Sequence, residues 1–72
     1  MKKIKKIKIQ VNGTVQPINE NSKISDLVKN LNIPMKKVAI ELNQEIIDKK
    51  NINKISLKKN DKIEIVHFIG GG

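Results

Sequence analysis

Ile7, Ile9 and Val11 stand two residues apart with Lys8 and Gln10 between them, and the alternation stops at Asn12-Gly13. A spacing of two puts all three apolar side chains on one face of an extended chain, so residues 7–11 read as a half-buried strand. Asn-Gly tolerates positive φ at both central positions of a type I′ turn, the turn whose twist matches that of paired strands. Thr14-Val15-Gln16-Pro17-Ile18 resumes the extended chain, and the first element is therefore a β-hairpin.

The period then changes. Ile24, Leu27, Val28 and Leu31 fall at i, i+3, i+4 and i+7, one stripe of a short amphipathic helix, with Ser22 as its expected N-cap and Asp26 in the first turn. The helix cannot pass Ile33, because Pro34 has no amide donor and disfavours helix in the residue before it; Asn32 is suited to the left-handed terminating position. Val38-Ala39-Ile40-Glu41-Leu42 alternates again, and Asn43-Gln44 turns it into Glu45-Ile46-Ile47. Residues 48–60 are polar, with Ile52, Ile55 and Leu57 as isolated apolar anchors, and are expected to cross as a loop with one short helical turn. Lys62 to Phe68 forms the last strand, in which Ile63 and Ile65 face the core and Glu64, Val66 and Phe68 face away.

Two hairpins separated by one helix give a mixed sheet, since the helix supplies the crossover that lets a later strand lie parallel to the first. The fold class is α+β: the β-grasp, or ubiquitin-like, order, with a four- to five-stranded sheet and one helix across one face. Residues 1–68 form this domain and residues 69–72 a glycine-rich tail. Strand order is expected by analogy with that fold.

Composition narrows the chemistry. A chain of 72 residues builds one modest core and no deep cleft. Cysteine is absent, which excludes a disulfide framework, a thiolate zinc site and a thiol nucleophile. The net charge of +8 comes entirely from lysines, spread from Lys2 to Lys62 without one arginine, and Phe68 is the single aromatic residue. Base reading and phosphate gripping favour arginine's planar fork, and single-strand binding favours stacked aromatics, so no specific nucleic-acid partner is expected. The lysine-rich start is followed by no apolar core of a signal peptide, and no run approaches the length of a membrane span; the expectation is a soluble, cytoplasmic protein, monomeric when free, with no membrane partner. His67 has no second base or ligand near it in sequence, and Asp26, Glu41, Glu45, Asp48 and Asp61 have no spacing that builds a dyad or metal cage, so neither catalytic residues nor a metal site are expected.

The remaining signal is Ile69-Gly70-Gly71-Gly72. Terminal glycines also occur in frayed ends and linkers. Behind a compact domain they have another use, since residues without Cβ can thread a channel too narrow for side chains and carry a carboxylate into a partner's active site.

The run Glu64-Ile65-Val66-His67-Phe68-Ile69-Gly70-Gly71-Gly72 resembles the C-terminus of the ThiS family of thiamine-biosynthesis sulfur carriers, and Val38-Ala39-Ile40-Glu41-Leu42-Asn43 resembles that family's third strand and turn. The resemblance implies a carrier and not an enzyme. The Gly72 carboxylate would be adenylated by an E1-like ThiF-type enzyme using Mg-ATP, then converted to a thiocarboxylate with sulfur from a persulfide enzyme and delivered to a ThiG-type thiazole synthase. Gly70 and Gly71 would thread the partner's site, Val66, Phe68 and Ile69 would bind it, and the chain itself would hold no cofactor. Gln44 stands where the family commonly has a turn glycine. Three alternatives share parts of this pattern: the small subunit of molybdopterin synthase, whose tail usually follows a proline-containing segment absent here; a ubiquitin-type protein modifier; and a basic ubiquitin-like RNA-binding module.

Overall fold

The computed structural model describes residues 5–67. Strands β1 (Lys6–Val11) and β2 (Thr14–Asn19) form the first hairpin, α1 (Ile24–Asn30) comes next, β3 (Val38–Leu42) and β4 (Glu45–Ile47) form the second hairpin, and β5 (Lys62–His67) closes the sheet. The strand order is β2-β1-β5-β3-β4. The last strand in sequence is thus the central one, parallel to β1 and antiparallel to β3. This is the β-grasp arrangement expected from the element order, with five strands.

Local chemistry explains the corners. Asn12 (φ 50°) and Gly13 (φ 83°) adopt the positive dihedrals of the I′ turn, and Asn43 (φ 51°) and Gln44 (φ 73°) repeat the device between β3 and β4. Pro17 is accommodated because β2 lies at the edge of the sheet, where a missing amide donor costs no ladder bond to a further strand. Asn32 (φ 55°) ends α1 in the left-handed conformation, and the amides of Asn32 and Ile33 donate to the carbonyls of Lys29 and Val28, the paired closure of a Schellman motif.

The helix start differs from expectation. Ser22 is not the N-cap: its hydroxyl donates to the Asn19 carbonyl at 2.7 Å, and Lys23 takes the cap position with its amide donating to Asp26 Oδ2 at 2.9 Å. The first helical amides find their acceptors in the long loop, Ile24 N–H on the Ile55 carbonyl at 3.1 Å and Ser25 N–H on the Ile52 carbonyl at 3.0 Å. A side-chain cap is unnecessary where backbone carbonyls already meet those donors. The loop itself holds a 3₁₀ turn at Lys49–Asn51, started by Asp48, and a second 3₁₀ turn at Met35–Lys37 was not legible in the sequence.

The core lies between α1 and one face of the sheet. Ile24, Leu27 and Val28 from the helix meet Ile9, Val11, Ile18, Val38, Ile40, Ile63 and Ile65 from the strands, and Leu57 from the loop completes the cluster. Every one of these is aliphatic. β-branched side chains at alternate strand positions form a surface into which one helical stripe fits, and burying each such side chain contributes roughly 1.5–3 kcal/mol before entropy is subtracted.

Candidate functional site: the end of the central strand

β5 alternates as its sequence requires, with Ile63 and Ile65 buried and Lys62, Glu64 and Val66 exposed. Val66, expected to bind a partner, is 49% exposed and stands opposite half-buried Ala39 of β3. Phe68, Ile69, Gly70, Gly71 and Gly72 lie outside the described residues.

Register assembles the face around Val66 from three strands. Glu41 on β3 is opposite both Glu64 on β5 and Ile46 on β4, and Ala39 is opposite Val66. Residues two apart share a face, so Ala39, Glu41, Ile46, Glu64 and Val66 form one patch on the side away from α1. Ile46 is 77% exposed there. Farther back on the same face the pairs Lys8 with Pro17 and Gln10 with Lys62 bring lysines forward. The open face therefore carries carboxylates and aliphatic groups near the strand's exit and positive charge at its other end. The sequence indicated Val66; it did not indicate Ile46 or the opposed glutamates, because their adjacency depends on strand register.

Two asparagine side chains fasten β5. On the β1 side, Asn12 Oδ1 accepts from Ile65 N–H at 2.8 Å and Asn12 Nδ2 donates to the Ile65 carbonyl at 3.3 Å. On the β3 side, Asn43 Oδ1 accepts from Lys62 N–H at 2.9 Å, and the Asn43 amide N–H donates to the Lys62 carbonyl at 2.8 Å. Asn43 Nδ2 also donates to Asp61 Oδ1 at 3.1 Å. Both residues were legible as turn formers, and neither as a partner of the last strand.

The acidic side chains read as caps and turns behave that way at three positions: Asp26 caps α1, Asp48 accepts from Lys50 N–H at 2.9 Å, and Asp61 accepts from Lys58 N–H at 2.7 Å. Among the described residues no three His, Cys, Asp or Glu side chains gather as a metal site, and no helix is long and apolar enough to cross a membrane.

The sheet, its central strand and the glycines behind it have known relatives. The ThiS family profile matches residues 9–72. The sulfur carrier protein ThiS of Bacillus subtilis (strain 168) is 40% identical over 65 residues, which is 89% of this chain and 98% of that protein. A thiazole synthase from Paramagnetospirillum magneticum is 35% identical over 66 residues, 92% of this chain. The chain spans only 20% of the length of that synthase. The crystal structure of the thiamine biosynthesis protein ThiS from Geobacter metallireducens superposes with a TM-score of 0.80 at 26% identity, covering 92% of this chain and 100% of that one.

Proposed function

The chain belongs to the ThiS family, and from that premise we propose that it carries sulfur on the Gly72 carboxylate for assembly of the thiazole of thiamine. One observation carries the reading: the family match runs through Gly72, and the strand leading to that glycine is the central strand of the sheet, flanked on both sides.

A carboxylate reacts poorly with nucleophiles because its oxygens leave poorly. Attack of a Gly72 carboxylate oxygen on the α-phosphorus of Mg-ATP expels pyrophosphate and gives an acyl-adenylate, from which AMP departs readily. An E1-like enzyme of the ThiF type supplies that step. The outer persulfide sulfur attacks the acyl carbon as AMP leaves, giving an acyl disulfide. A second thiol of the partner then attacks the donor's sulfur, forming a disulfide there as the sulfur–sulfur bond breaks and the thiocarboxylate leaves. Its sulfur is a soft nucleophile, suited to a ThiG-type thiazole synthase. The carrier provides no acid, base or metal; ATP and Mg belong to the activating partner.

Partner binding falls to the open face at the exit of β5. Val66 and Ile46 offer apolar area; Phe68 and Ile69, the next apolar residues in the sequence, would add anchors, and Gly70 and Gly71 would carry the carboxylate into a channel that side chains would block. That some thiazole synthases contain within their own chains a segment similar to this one supports a synthase as the acceptor. These steps belong in the cytoplasm, where ATP and persulfide donors are available.

The test is intact-mass measurement after incubation with a ThiF-type enzyme, Mg-ATP and a persulfide source. The expected product has one terminal oxygen replaced by sulfur, and a chain amidated at Gly72 gives none. Sulfur loading of the amidated chain, or none on the free one, overturns the reading.

A further inference from the structure

β1 and β5 pair in parallel through Gln10 with Lys62 and Val11 with Ile63, and the ladder continues as Gln10 N–H to the Asp61 carbonyl and Asn12 N–H to the Ile63 carbonyl, both 2.9 Å. In a regular parallel ladder the next two bonds run from Ile65 N–H to the carbonyl of residue 12 and from the amide of residue 14 to the Ile65 carbonyl. Here the chain turns away, because Asn12 and Gly13 form the I′ turn and Thr14 already belongs to β2. The Asn12 carboxamide takes over both bonds. Its oxygen stands where the backbone carbonyl of residue 12 would be, and its nitrogen where the amide of residue 14 would be. The orientation of the carboxamide is dictated by chemistry, since an N–H only donates and a carbonyl only accepts.

This splice extends the grip on β5 to Ile65, two residues before the last described residue and seven before Gly72. Among the described residues the β1 side gives β5 no bond beyond those of Asn12 to Ile65, while β3 pairs with β5 as far as His67 opposite Val38. A strand held on one side alone is free to twist and swing about that seam. Alanine would form neither bond, serine has a single oxygen in place of the carboxamide's separate acceptor and donor, and glycine would make the turn without them. We infer that Asn12 is a positioning residue for the sulfur-loading reaction: its carboxamide sets the direction in which the chain leaves the sheet and so the placement of the Gly72 carboxylate in the activating enzyme. This role rests on the sulfur-carrier reading above.

Reactions that depend on alignment lose rate steeply with small displacements, of order a hundredfold for about 1 Å. The open-face patch is untouched by Asn12, so docking and aiming separate. Asn12→Gly keeps the I′ turn and removes both bonds; Asn12→Asp keeps the turn and the acceptor but lacks the donor, and serves if the glycine variant does not fold. With a ThiF-type enzyme and Mg-ATP, each variant is expected to lower kcat for adenylation about tenfold while KM for the carrier stays within about twofold of the unsubstituted chain. A merely structural role would lower the folded fraction, raising KM and leaving kcat at saturation intact, and that result overturns the inference, as does an unchanged kcat. A second readout needs no enzyme: the ¹⁵N order parameter of the His67 amide should fall from about 0.85 to below about 0.6 in Asn12→Gly, and an unchanged value also overturns the inference. Failure of the unsubstituted chain to be adenylated would sink the sulfur-carrier reading instead, and the order parameter would still decide whether Asn12 holds the end of β5.

Discussion

Glu41 and Glu64 stand directly opposite each other across β3 and β5, on the face of the sheet that α1 leaves open. Like charges in opposed positions weaken strand pairing by roughly 0.2–1 kcal/mol. Glu64→Lys should therefore stabilise the fold by about 0.5 kcal/mol in urea unfolding. The same change reverses a charge beside Val66, and adenylation by a ThiF-type partner should slow. A variant that is more stable and equally fast would remove these carboxylates from the docking face.

Gln44 occupies a left-handed position, φ 73°, without being glycine. That conformation strains an ordinary side chain by roughly 1–2 kcal/mol, part of which glycine returns as lost freedom of the unfolded chain. Gln44→Gly is expected to raise stability by about 0.5–1 kcal/mol, read as a higher Tm. Gln44→Val, with a branched side chain at the same φ, should lower it.

Leu57 is 2% exposed although it lies outside every helix and strand. Its amide donates to the Ser22 carbonyl at 2.7 Å, which fixes the loop against the start of α1. Leu57→Ala should cost about 2–5 kcal/mol, a large share of what so small a domain has. Chemical denaturation followed by circular dichroism measures it, and a cost under about 1 kcal/mol would mean the loop is a dispensable cover.

Val66 is half exposed, so Val66→Ala should change folding stability by less than about 0.5 kcal/mol. If it anchors the activating enzyme, kcat/KM for adenylation falls about fivefold or more, corresponding to a contact above about 1 kcal/mol. The same pair of measurements on Phe68→Ala asks whether the anchor continues along the chain. Equal rates in both folded variants would move the docking surface elsewhere.

Much of the architecture is legible in the sequence because it rests on periodicity and turn chemistry. The alternation at Ile7, Ile9 and Val11, the stripe from Ile24 to Leu31 and the boundaries at Asn12-Gly13 and Pro34 are local properties, and the strands β3 and β4 appear where their residues predicted. Ser22 failed as a cap for a non-local reason: the carbonyls that satisfy α1 come from Ile52 and Ile55, more than twenty residues away. The patch around Val66 was half legible for the same reason, because Glu41, Ile46 and Glu64 meet only through register. Asparagine was the subtler case. Its abundance resembles compositional bias, yet Asn12, Asn21, Asn32, Asn43 and Asn60 all hold positive φ. The chain uses asparagine at corners where others use glycine, and at Asn12 and Asn43 the carboxamide bonds the neighbouring strand as well, which glycine could not do.

The central place of β5 also has a consequence for how the molecule is made. The strand that completes the sheet is translated after the other four, and its neighbour β1 before them all, so the seam between them closes only once the whole sheet has left the ribosome. Until then the middle position, between β1 and β3, stays empty. A product terminated before Lys62 lacks the keystone as well as the glycines behind it, and is left as two hairpins and a helix with no strand to join them. Synthesis order therefore places the glycines after every strand, so a chain that carries them also carries all the pieces of the sheet.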